Sequence, residues 1–148
     1  MGADEPTRDA YAVEVDQVDE DAIDAVVGAL RRAFDDDPLA NWLCRQDRRR
    51  TEAFETLFRT SIRRYSLPYD TLYATADRAG AAVWVPPGRW RLGAWQQLAM
   101  LPSIVRMASW RRLFRVLRGL TAIEHEHPAG PKHYYLMFIG VRPARQGQ

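Results

Sequence analysis

The sequence predicts a single domain of α+β class (an α/β arrangement is the alternative), and three observations carry that expectation. Apolar residues alternate in short runs near residues 10–15, 71–75 and 80–85, as half-buried strands require. They recur at three- and four-residue steps in longer stretches, the period of an amphipathic helix. A nearly continuous apolar run then closes the chain at residues 133–141, the pattern of a central strand covered on both faces. Together these give the order βααββ, then helices, then β, with no internal repeat. A length of 148 residues with 47% hydrophobic side chains suffices for one core and is not the composition of a disordered chain.

Residues 1–9 are polar and acidic and are expected to be disordered, without the apolar run of a signal peptide. The first strand is expected over Ala10–Val15. Asp16 then serves as N-cap of a helix with Asp19, Glu20 and Asp21 in its positive first turn. Ile23, Val26, Val27, Leu30 and Phe34 form its apolar stripe, and Arg31 and Arg32 suit its negative end. Asp35-Asp36-Asp37-Pro38 breaks this helix, and Leu39–Leu43 adds a short helical turn. A further helix is expected from Arg49 to Tyr65, with Phe54, Leu57, Phe58 and Ile62 inward. Strands Thr71–Thr75 and Gly80–Val85 follow, joined by a hairpin-length loop, 76–79. Leu92–His127 reads as helix, interrupted at Pro102 and near Ser109, with Leu113, Leu117, Leu120 and Ile123 as the last inward stripe. Pro128-Ala129-Gly130-Pro131 ends it before the final strand.

Net charge is only +2, so bulk charge does not point to nucleic acid. The distribution is uneven: residues 1–37 hold twelve acidic side chains against three basic, the remainder seven against eighteen. Cys44 is the only cysteine, which excludes an internal disulfide and fits a reducing, cytoplasmic setting. It lies in an apolar stretch with no histidine nearby, as a structural thiol does. No run is apolar enough to span a membrane. His125, His127 and His133 lack the spacing and companions of a metal site, so no metal is expected.

The most informative segment is Ile139-Gly140-Val141-Arg142-Pro143-Ala144-Arg145-Gln146-Gly147-Gln148. It resembles the acyl-CoA site of the GCN5-related N-acetyltransferase superfamily, where a strand ends in Val-x-Pro and the following turn reads Gln/Arg-x-x-Gly-x-Gly/Ala. Val141-Arg142-Pro143 matches the strand end and Gln146-Gly147-Gln148 the first turn positions. Ala33-Phe34-Asp35-Asp36-Asp37-Pro38 and Trp84-Val85-Pro86-Pro87-Gly88 look similar to members as well. The resemblance implies a mixed sheet flanked by helices, with 10–148 a partial domain whose C-terminal part, including the two defining glycines, would follow Gln148. It implies acetyl-CoA as cosubstrate and a small-molecule or protein amine as acceptor. Phe138, Ile139, Gly140 and Val141 would face the pantetheine arm and thioester, and Gln146, Gly147 and Gln148 the pyrophosphate. Backbone N–H groups at such a turn bind phosphate, and glycine admits close approach.

In that family an amine attacks the thioester directly once a base has removed its proton. Glu124 and Glu126 are candidates for the base, with a solvated helix end as the alternative reading. Asp35, Asp36, Asp37 and Trp42 fall where the family shapes its acceptor pocket, and a plain acidic loop is the alternative. As 148 residues the chain is expected to be weak or inactive, and to expose a sheet edge through which it can dimerise. A competing expectation rests on residues 89–118. From Arg78 to Ile123 there is no acidic residue, and arginines interleave with Trp90, Trp95, Trp110 and Phe114. Such a stretch suits a non-catalytic interaction module or a membrane-surface helix.

Overall fold

The computed structural model describes residues 13–89, 94–126 and 131–147. Its four strands form one antiparallel sheet in chain order: β1 (Val15–Gln17), β2 (Leu72–Thr75), β3 (Gly80–Val85) and β4 (Tyr135–Val141). The expected mixed sheet thus shows antiparallel pairs only among the described strands. The helices are α1 (Ile23–Ala33), α2 (Pro38–Leu43), α3 (Arg50–Ser61), α4 (Ala94–Ala108) and α5 (Leu113–Glu126). The α+β class expected from the sequence holds.

Of the strand expected over Ala10–Val15, residues 10–12 lie outside the described residues, and the described strand runs on past Asp16. β1 spans Val15–Gln17, where Val15 pairs with Thr75 and Asp16 with Ala74. Asp16 is therefore a strand residue and not the N-cap. That role passes to Asp19, whose carboxylate accepts from the Asp21 N–H, 3.1 Å away, at the head of a 3₁₀ turn leading into α1. The cause is tertiary: the Val18 N–H donates to the Leu72 carbonyl, which carries the extended backbone past Asp16.

Ile23, Val26, Val27 and Leu30 of α1 are buried as their spacing predicts, and Asp37 caps α2 by accepting from the Ala40 N–H at 2.7 Å, with Pro38 at the first helical position. α3 stops at Ser61 and widens into a π turn, Ile62–Ser66, instead of running on as α-helix to Tyr65. α1 and α3 cover one face of the sheet. Phe54, Phe58, Phe34 and Phe138 meet there, with the Phe58 and Phe138 rings edge to face at 5.1 Å.

Two expectations about the later helices are corrected. Pro102 does not interrupt α4, which runs through it to Ala108. A proline removes one i→i−4 hydrogen bond, and here Ser103, Met107 and Ala108, all buried just beyond it, hold the helix against the core. The break comes at Ser109, with φ of 58°. In α5 the inward residue is Val116, fully buried, whereas Leu117 is exposed. The side chains of Leu120 and Ile123 lie outside the described residues. α5 is anchored to α2 by Arg112, whose guanidinium donates to the Asn41 carbonyl at 2.9 Å and to that of Cys44, the carbonyl end of that helix.

β4 forms the margin of the described sheet and pairs with β3 alone. One of its faces meets α1. The other is open, and Ile139 is 61% exposed. The doubly covered central strand expected from its continuous apolar run is not what the described residues form.

Candidate functional site

β4 departs from a regular ladder at one point. Val83 pairs with Phe138 and Trp84 with Leu136, so Met137 is an extra residue and the strand carries a bulge there. Beyond it the register is regular to Gly80 opposite Val141. The Arg142 N–H donates to the Ala79 carbonyl at 2.9 Å, which makes that position a hydrogen-bonded pair. The alternation of an antiparallel ladder then turns the main-chain groups of Phe138 and Gly140 toward β3, and those of Ile139 and Val141 toward the open margin. The Gln146 side chain takes up one of these, donating to the Val141 carbonyl at 3.0 Å.

The four strand residues singled out in the sequence therefore divide into two pairs. The Phe138 ring belongs to the aromatic core. Gly140 is required by packing: a Cβ there would lie 2.7 Å from Ala33 Cβ and 3.4 Å from Leu30 Cδ2, so the missing side chain lets the end of α1 approach the sheet. Ile139 and Val141 face the opposite way, onto a groove of about 580 Å³ bordered also by Val15, Tyr73, Gly80 and Ala82.

After Val141 the chain makes a 3₁₀ turn, Pro143–Arg145, and reaches Gln146 and Gly147. Gly147 has φ of 75°, a left-handed conformation that glycine adopts without strain. The turn is tied to the β2–β3 hairpin by Arg145, whose Nε lies 3.2 Å from an Asp77 carboxylate oxygen. Asp77 also accepts from the Ala79 N–H and the Thr75 hydroxyl. These bonds, the Ala79 N–H first, hold its pKa below the ordinary value of 3.8. Sequence reading missed this tie because its partners lie far apart in the chain. The nearby Arg142 Nε is buried without a hydrogen-bond partner among the described residues.

The acidic loop sits at the end of α1 that meets β4, and its carboxylates have different jobs. Asp37 caps α2. Asp35 faces Arg50, with its carbonyl accepting from the guanidinium at 2.7 Å and its carboxylate 3.6 Å away. Asp36 is exposed and has no partner among the described residues. Trp42 is half-exposed, with the Arg115 guanidinium 5.3 Å from its ring centre. Glu124 and Glu126 fall in the last turn of α5, but their side chains, like Gln148, lie outside the described residues. Cys44 is buried, and loss of hydration pushes its thiol up to about 11, which leaves it protonated and unreactive at neutral pH. No helix among the described residues is long and apolar enough to cross a membrane.

No family model and no curated protein matches the chain. Among solved structures, one described as histone acetyltransferase HPA2 and related acetyltransferase, from Corynebacterium glutamicum, is similar in fold. The TM-score is 0.63 at 18% sequence identity, over 93% of this chain and 64% of that one. The chain thus spans a little less than two thirds of that protein's length. The likeness is one of fold alone.

Proposed function

We propose that the chain carries the acyl-CoA-binding part of an N-acyltransferase of the GCN5-related type. The observation that carries this reading is the bulged strand β4, which leads, with an open margin, into the Val141–Gly147 turn. Main-chain groups of Ile139 and Val141 at that margin would hydrogen-bond the pantetheine amides. The Gln146 and Gly147 N–H groups, and Gln148, would begin the cradle for the pyrophosphate. An acceptor amine would attack the thioester carbonyl of acetyl-CoA: a C–N bond forms, the C–S bond breaks with coenzyme A leaving as its thiolate, and the amine proton passes to a base. Glu124 and Glu126 remain the candidates for that base. Asp36 and Trp42 offer a carboxylate and an aromatic face to a cationic amine, whether of a small molecule or of a protein.

Isothermal titration with acetyl-CoA tests the reading. Saturable binding that coenzyme A displaces and Gly147→Val abolishes supports it, because a β-branched residue resists φ of 75°. Binding that ignores Gly147→Val, or none at millimolar coenzyme, overturns it.

A further inference from the structure

α5 and the 3₁₀ turn Trp110–Arg112 that leads into it carry apolar side chains on two opposite sides. Val116 points into the core and is fully buried. Trp110, Phe114 and Leu117 follow at steps of four and three residues, so they form one stripe on the outer side. Trp110 is 82% exposed and Phe114 79%. A core-packing helix has no use for two aromatic side chains held in water.

The charged side chains described beside this stripe are basic. Arg111 and Arg118 are exposed beside it and have no ion-pair partner among the described residues. The sequence contains no acidic residue from Arg78 to Ile123 to neutralise them. Two largely exposed rings thus stand beside exposed guanidinium groups. A protein partner would have to supply a matching groove, whereas a lipid interface admits protruding aromatics at headgroup depth and offers phosphates to arginine.

We propose that this outer face of α5 docks the protein on an anionic phospholipid surface. Trp110 and Phe114 enter the headgroup region, and Arg111 and Arg118 lie against lipid phosphates. None of these residues borders the β4 margin, so the proposal stands apart from the acyl-transfer reading.

Co-sedimentation of the full chain with phosphatidylcholine vesicles, with and without phosphatidylserine, tests it at low and at physiological salt. The chain should pellet with the anionic vesicles, and less so at the higher salt. Replacing both arginines (Arg111→Gln with Arg118→Gln) should weaken binding about thirty-fold, from the attraction of two basic side chains to an anionic surface. Replacing both rings (Trp110→Ser with Phe114→Ser) should weaken it about a hundred-fold or more, from the apolar area lost. The exposed positions leave the far-ultraviolet circular dichroism of either variant unchanged, and the two variants are independent. Equal binding to pure phosphatidylcholine overturns the proposal, as does wild-type binding by the ring variant. So does retention on soluble polyglutamate without any sedimentation on vesicles, which would assign this face to an acidic polypeptide.

Discussion

On the inner face of the sheet Leu72 and Val83 are fully buried, and Phe138 closes an aromatic cluster against α1 and α3. On the outer face Tyr73, Ala82 and Ile139, each one residue away along its strand, border an open groove. The period of two along β4 thus separates two tasks within one motif. Phe138 and Gly140 hold the fold, while Ile139 and Val141 face the open groove. A motif residue can be essential for either reason, and only its parity on the strand tells which.

Substitutions on the two faces should differ accordingly. Phe58→Ala, at the centre of the inner cluster, is expected to cost about 3–5 kcal/mol in denaturant unfolding. Gly140→Ala is next, at about 1–3 kcal/mol, because its Cβ meets that of Ala33. Adding Ala33→Gly should recover part of that loss, and a double-mutant cycle with no coupling would disprove the close approach. Asp37→Ala removes the α2 cap and should cost about 1 kcal/mol. Ile139→Ser, on the open face, should change stability by no more than about 0.5 kcal/mol while altering coenzyme affinity. A large stability loss there would erase the distinction between the faces.

A pH series sharpens the same contrast at the turn. Asp77 has a depressed pKa in the folded state, so its contribution is present above the unfolded value and is lost as pH falls through the folded one. Protection of the Gln146 and Gly147 amides from exchange, relative to the unstructured rate at each pH, should therefore fall once pH drops below about 3.8. Asp77→Asn should reproduce the lower protection at neutral pH. Cys44 has the opposite sign. Its raised pKa favours the folded state below the free thiol's 9.0, an advantage lost as pH rises toward about 11. At neutral pH a thiol reagent should modify it only after unfolding.

Much of the fold was legible because local and tertiary forces agree. The stripe of α1, the break at Asp37-Pro38 and the hairpin at 76–79 all follow from neighbours in sequence. The failures occur where distant pairing decides. Alternation placed a strand at Ala10–Val15, whereas the described strand is Val15–Gln17, carried past Asp16 by the Val18–Leu72 hydrogen bond. In α5 leucines on both sides hid the inward position, because Val116 is the smaller residue and the outer stripe is itself apolar. The turn after Val141 was readable as a turn, since Pro143 and Gly147 mark one at fixed spacing. The packing role of Gly140 was not, because it exists only once α1 is docked.

The most direct measurement is a titration of the isotopically labelled chain with acetyl-CoA, followed by backbone amide resonances. The acyl-CoA reading expects the largest shifts at Ile139, Val141, Gln146 and Gly147, with smaller ones at Phe138 and Gly140. Shifts confined to other elements, or none along β4 and its turn, would contradict it.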